Sequence, residues 1–210
     1  MEPEILNYIL SHITPEDPLL EELYRQTCLK FVNPNMVSGH LQGKILEMIS
    51  KMINPAYILE IGTYTGYSAI CLAKGLKKGG KLYTIEINDE LSDFSRHYFR
   101  RAGLSDTIEL INGRAQDVIP GLNILFDLVY IDGDKREYCE YFRLVRDKVR
   151  TGGFIITDNV LWGGKALQEE ARDRHTKAIK EFNEMIRHEP GVENVILPVR
   201  DGIMIIRKTG

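Results

Sequence analysis

Long apolar runs, paired cysteines and an excess of basic charge are all missing from this 210-residue chain. No segment approaches the roughly 20 apolar residues of a membrane-spanning helix, and Met1–Leu10 carries acids where a secretory signal would carry basic residues. A membrane role is therefore excluded as an expectation, and a cytoplasmic one is expected. The three cysteines, Cys28, Cys71 and Cys139, are odd in number and widely spaced, with no C-x-x-C. They argue against a disulfide framework or a zinc knuckle and suit a reducing compartment. The formal net charge of −3 argues against a dedicated nucleic-acid binder, while leaving room for a local basic patch. There is no fixed-period repeat and no low-complexity stretch. His12, His40, His97, His175 and His188 show no metal-ligand spacing.

What is present is apolar content, 43% of residues, enough for one well-buried core in a single domain over 1–210. Residues 1–54 read as a helical cap. Pro18–Cys28 is expected to be a helix after Asp17, with proline at its first position. A second helix opens at Ser38 or Gly39, carries Leu41, Ile45, Leu46 and Ile49 at helical spacing, and ends at Pro55. From 55 to 210 the pattern alternates. Apolar runs at Tyr57–Ile61, Leu82–Ile87, Ile108–Ile111, Phe126–Ile131 and Phe154–Thr157 are each followed by a helix or a loop leading to one. Helices are expected over Tyr67–Lys77, Asp89–Ala102, Ala115–Leu122, Tyr138–Val149 and Thr176–His188. Such alternation predicts an α/β fold, a mostly parallel sheet with helices on both faces. Val195–Val199, Arg200-Asp201-Gly202 and Ile203–Ile206 read as a closing β-hairpin. The expectation is a Rossmann-like sheet of seven strands whose last strand is antiparallel. The glycine-rich 152–164 stretch reads as a loop.

The chemistry-bearing residues cluster at strand ends. The first strand runs into Glu60-Ile-Gly62-Thr-Tyr64-Thr-Gly66, an E-x-G-x-x-x-G turn. A dinucleotide fold would place G-x-G-x-x-G there, to receive a pyrophosphate on a helix N-terminus. An acid at the head of the turn suits an ammonium or sulfonium group better, and S-adenosylmethionine carries both. Glu86, ending the second strand, is suited to both ribose hydroxyls, with Ile87 beside it. Asn112-Gly113-Arg114-Ala115-Gln116, ending the third, is placed to meet the adenine.

The fourth strand ends at Asp132-Gly-Asp134-Lys135 and the fifth at Asp158-Asn159. On neighbouring strands Asp132, Asp158 and Asn159 converge. Two adjacent carboxylates repel unless a positive charge intervenes, and an all-oxygen trio suits a hard divalent ion: Mg²⁺ first, with Mn²⁺ or Ca²⁺ as alternatives. Each Asp alone more commonly caps a helix or forms a turn. A divalent ion would acidify a phenol, whose pKa lies near 10, and Lys135 would take its proton or steady the anion. Catalysis would rest on Lys135 and Asp132.

These residues resemble the cation-dependent class I O-methyltransferases, the family of the catechol and caffeoyl-CoA enzymes, from about Pro34 to Lys208. The glycine motif matches Leu59–Ser68, including Tyr64 and Ser68; the ribose acid matches Glu86; the metal trio and the lysine match the residues just named. The resemblance implies that Asp134 holds the cofactor's amino group, as in the caffeoyl-CoA branch, and that Met36–His40 closes over its methionine end, Val37 and Ser38 nearest. It also implies a homodimer. Asp158–Lys165 is similar to small bacterial members. Where animal catechol enzymes carry a further glutamate this chain has Val195, and Asp134 replaces the tryptophan of their D-x-x-K loop, so the caffeoyl-CoA-like branch fits better.

For the acceptor, Trp162 with a Gly163-Gly164 hinge would either line the site or plug the sheet edge. Arg172, Arg174 and Lys177 would either attract an anion or form a solvated helix face. A small hydroxylated aromatic is expected, with a hydroxylated uridine of transfer RNA as the competing acceptor. A Rossmann dehydrogenase and a non-catalytic S-adenosylmethionine-binding protein are the rival classes.

Overall fold

The computed structural model describes residues 2–170 and 173–210. Helices α1 (Pro3–His12), α2 (Pro18–Lys30) and α3 (Gly39–Ile53) precede the first strand. Asp17 caps α2, its carboxylate accepting from the Leu19 amide at 3.0 Å. The core then runs β1 (Tyr57–Ile61), α4 (Tyr67–Ala73), β2 (Lys81–Glu86), α5 (Ser92–Arg101), β3 (Ile108–Asn112), α6 (Ala115–Val118), β4 (Phe126–Ile131), α7 (Tyr138–Arg146), β5 (Val149–Thr157), α8 (Arg174–Arg187), β6 (Val192–Leu197) and β7 (Ile203–Lys208).

The 7-stranded sheet has the order β3-β2-β1-β4-β5-β7-β6. Strands β1 to β5 pair in parallel, and β7 is antiparallel to both neighbours. The mostly parallel, seven-stranded Rossmann-like sheet expected from the alternation is therefore present, with β7 as the single reversed strand. Strand residues alternate between two apolar layers. Ile58, Leu128, Tyr130 and Ile156 pack with α3 and α4 through Leu46, Ile70 and Leu72. Leu59, Val129 and Ile155 pack with α7 and α8 through Phe142, Val145, Ile179 and Phe182. Burial on both faces explains why these strands read as continuous apolar runs.

Several boundaries differ from expectation. Helix α4 stops at Ala73, four residues early, where Gly75 lets α3 approach: a Cβ there would lie 2.3 Å from Ser50. Helix α7 stops at Arg146, and Val149 belongs to β5. That strand contains Gly152 and Gly153, so the expected 152–164 loop starts only after Thr157. Opposite these glycines the β4–β5 register shifts between Phe126 and Leu128, and Gly152 has φ +80°. The glycines mark a bulge, not a loop. The hairpin is present, with β6 starting three residues before Val195.

Candidate active site

Order reverses between β1 and β4, and the carboxyl ends of five parallel strands meet along that edge, where open α/β sheets bind ligands. The Asp132 amide donates to the Ile61 carbonyl at 2.9 Å and the Asp158 amide to Ile131 at 3.1 Å. Backbone bonds thus place Gly62, Asp132 and Asp158 side by side. On the other flank the Gly113 amide donates to the Glu86 carbonyl at 2.9 Å.

Gly62 and Gly66 are required by the fold itself. At φ +99°, a Cβ on Gly62 would stand 2.4 Å from the Asp132 carbonyl oxygen; one on Gly66 would meet the Phe99 ring at 2.6 Å. Between them Tyr64 has φ +48°, and its amide donates to Glu86 at 2.7 Å. The Asn88 amide donates to the other Glu86 oxygen at 2.9 Å. Burial raises the Glu86 pKa while these amides oppose the rise.

Glu60 is fully buried. Thr84 donates to it at 2.5 Å, Ser68 is buried near by on α4, and its Oε1 has no partner. Burial pushes its pKa up to about 8. A neutral acid beside an unpartnered buried oxygen is what a cationic group of a bound cofactor would convert to a carboxylate.

Val37 and Ser38 are buried at the start of α3 and Ala115 at the start of α6, while Ile87 is exposed beside Glu86. Arg114 turns toward Glu137, 3.5 Å away. Asp134 is engaged by Arg136, whose Nε lies 3.0 Å from both carboxylate oxygens, and this pairing lowers its pKa. Its expected role toward the cofactor's amino group would compete with that arginine.

At the β4–β5 end Lys135 Nζ donates to Asp132 Oδ1 at 2.7 Å and to the Gly133 carbonyl at 3.1 Å. Asp158 Oδ2 accepts from Gln42 Nε2 at 2.7 Å, and its buried Oδ1 has no partner. Burial and the neighbouring Asp132 push the Asp158 pKa up to about 6. Asn159 follows at φ +58°. Among the described residues no group of three His, Cys, Asp or Glu is placed to hold a metal; the trio here is two acids and an amide.

Three residues at this end went unseen in the sequence. Gln42 reaches in from α3, Tyr130 donates to Asp132 at 3.4 Å, and Arg200 reaches Gln42 from the β6–β7 turn. No local motif marks them. Only the Gly39–Ile53 helical periodicity, which leaves polar Gln42 on a core-facing side, was available as a signal.

Trp162 adopts φ +48° and stacks on His175, ring centroids 5.8 Å apart, with its indole nitrogen buried and unpartnered. Gly163 and Gly164 are both left-handed. Arg174 and Lys177 are exposed on α8; Arg172 lies outside the described residues. Among the described residues no helix is long and apolar enough to cross a membrane.

A family model described as O-methyltransferase matches residues 10–209. A catechol O-methyltransferase of Niastella koreensis is 34% identical over 170 residues, covering 79% of this chain and 74% of that protein. A caffeoyl-CoA O-methyltransferase of Petroselinum crispum is 30% identical over 217 residues, covering 97% and 90%. The O-methyltransferase TomG of Streptomyces achromogenes, involved in tomaymycin synthesis and solved with S-adenosylmethionine, superposes with a TM-score of 0.92 at 30% identity over 100% of both chains. An O-methyltransferase of Bacillus cereus, solved with S-adenosylhomocysteine, gives 0.87 at 31% identity over 98% and 97%. The transfer-RNA acceptor weighed from the sequence finds no support in these names.

Proposed function

The chain belongs to this O-methyltransferase family and is an S-adenosylmethionine-dependent enzyme, and on that premise we propose that it methylates a hydroxyl of a small catechol-like or caffeoyl-type aromatic with the help of a divalent cation. The observation that carries the cation is Asp158 Oδ1, a buried carboxylate oxygen without a partner, beside a second carboxylate. Buried polar atoms are nearly always satisfied, and oxygen donors from Asp132, Asp158 and Asn159 fit a hard ion such as Mg²⁺. Those three residues would hold it. When bound, such an ion supplies positive charge that acidifies a neighbouring hydroxyl.

The chain's own residues do the rest. Glu86 and the backbone around Tyr64 form the cradle for the cofactor's ribose, and Glu60 faces its cationic end. Lys135 Nζ, anchored on Asp132 Oδ1, stands where a hydroxyl proton leaves and an oxygen anion forms. The oxygen takes the methyl carbon as the carbon–sulfur bond breaks, the sulfonium becomes a neutral thioether, and the hydroxyl proton passes to water while the Lys135 ammonium steadies the oxygen anion. Much of the rate would come from holding oxygen and methyl in line. Trp162, with His175 behind its ring, offers a flat wall for an aromatic acceptor.

The test is transfer of labelled methyl from S-adenosylmethionine to catechol-type phenols, with Mg²⁺ or with EDTA. Label on the phenol that EDTA removes is expected. Undiminished transfer in EDTA would overturn the cation; label confined to transfer RNA in a parallel arm would overturn the acceptor.

A further inference from the structure

Gln42 is 1% exposed, lies on α3, and uses every polar atom it has. Its Nε2 donates to Asp158 Oδ2 at 2.7 Å and to the Tyr130 hydroxyl at 2.8 Å. Its Oε1 accepts from Arg200 Nη1 at 2.6 Å. The same guanidinium nitrogen also donates to the Ser38 carbonyl. An arginine carries donors only, so the amide oxygen must face Arg200 and the amide nitrogen must face Asp158. The orientation of Gln42 is thereby determined by a residue 158 positions away in sequence.

Arg200 sits in the β6–β7 turn at φ +48°, a turn closed by the Gly202 amide on the Val199 carbonyl at 2.9 Å. It also ties the start of α3 to the β6–β7 turn, joining elements that are not neighbours in sequence. The consequence falls on Asp158. Gln42 occupies Oδ2, leaving Oδ1 as the oxygen without a partner.

We propose that Arg200 and Gln42 are positioning residues that select Oδ1 of Asp158 as the cation-facing oxygen and fix the carboxylate's rotation. The inference rests on the cation reading above. Groups that orient metal ligands typically change metal affinity by about 10–100-fold when removed.

The probe is Mn²⁺, whose binding to the full-length protein is followed by loss of the free-ion electron paramagnetic resonance signal. Gln42→Leu is expected to weaken Mn²⁺ binding by about tenfold or more, and Arg200→Ala by a smaller factor, with Arg200→Lys in between. Affinity for S-adenosylhomocysteine in EDTA should stay within twofold for Gln42→Leu; the Arg200 variants also lose the contact with the Ser38 carbonyl, so their Mn²⁺ binding is read without cofactor. In methyl transfer, the Mn²⁺ concentration giving half-maximal rate should rise while the rate at saturating Mn²⁺ stays near wild type, a split that general loosening of the fold would not produce. If wild type binds no Mn²⁺, both the cation reading and this one fall. If wild type binds and the variants match it, only the positioning role falls. Should Gln42→Leu fail to fold, Arg200→Ala, a turn substitution, decides the matter.

Discussion

Glu86 and Asp158 each lie at the carboxyl end of a strand in one sheet, and both are buried, yet their partners differ in kind. Glu86 accepts from the amides of Tyr64 and Asn88, supplied by its own loop and the one beside it. Asp158 accepts from a side chain 116 positions away, and one of its oxygens is left without a partner. The Glu86 corner of the cofactor end is therefore built from backbone and has both carboxylate oxygens satisfied. The β4–β5 end is assembled from side chains and leaves one buried carboxylate oxygen, Asp158 Oδ1, unsatisfied. A carboxylate held by backbone amides contributes to the fold; one left beside another carboxylate works against it.

The largest expected effect breaks the comparison at its unsatisfied end. Asp158→Asn keeps an acceptor for Gln42 but removes the proposed cation ligand and the repulsion with Asp132. Methyl transfer should fall by about three orders of magnitude, an effect of the size seen when a group stabilising the transition state is lost. Binding of S-adenosylmethionine, measured by calorimetry in EDTA, should remain within a few-fold. In EDTA the melting temperature should hold or rise, because a buried like-charge pair has been relieved. A large fall in melting temperature would show that Asp158 supports the fold, and the contrast with Glu86 would be lost.

The same contrast explains what could be read in advance. The strands β1 and β4 have the residue limits that their apolar runs suggest, because burial on both faces leaves an unbroken signal in one dimension. Glu60, Glu86, Asp132 and Asp158 were legible because each directly ends or follows such a run. Gln42 and Arg200 were not, since their roles arise from tertiary contacts and neither carries a motif. Gly62 was legible as a special position, but its reason was not: the neighbour that excludes a side chain is the Asp132 carbonyl, 70 residues on by sequence. The bulge at Gly152 was misread for a related reason. Glycine signals a departure from regular geometry without saying whether the chain leaves the strand or merely kinks within it.

A smaller effect tests the Glu86 corner. Glu86→Ala leaves the Tyr64 and Asn88 amides without their acceptor. The loss should be about 2 kcal/mol of stability, at roughly 1–3 kcal/mol per unsatisfied buried group with some relief from water. Thermal denaturation should show a clear drop in EDTA, opposite in sign to Asp158→Asn. Cofactor affinity should fall at least tenfold in calorimetry, as the proposed ribose acceptor is removed as well. An unchanged melting temperature would mean the amides find water readily, and the backbone-built description of this corner would fail.

Glu60 sharpens the comparison, because it lies at the cofactor end yet is held by a side chain, Thr84, with one oxygen unpartnered. Burial takes its pKa from 4.5 to about 8. With a folded value above the unfolded one, the unfolded chain binds fewer protons between those two limits. Stability of the cofactor-free protein therefore falls as pH rises from about 4.5 to about 8 on account of this group, and levels off above. A cation brought to Glu60 lowers its pKa again, so at pH 7 cofactor binding should release up to about nine-tenths of a proton from it. Calorimetry of S-adenosylmethionine binding in buffers of different ionisation enthalpy measures that number directly. Glu60→Gln should abolish the release and flatten the stability loss over the same pH window. If wild type releases no proton at pH 7, Glu60 either is already ionised or lies out of the cofactor's reach; a flat stability profile between pH 4.5 and 8 would single out the first, and a sloping one the second.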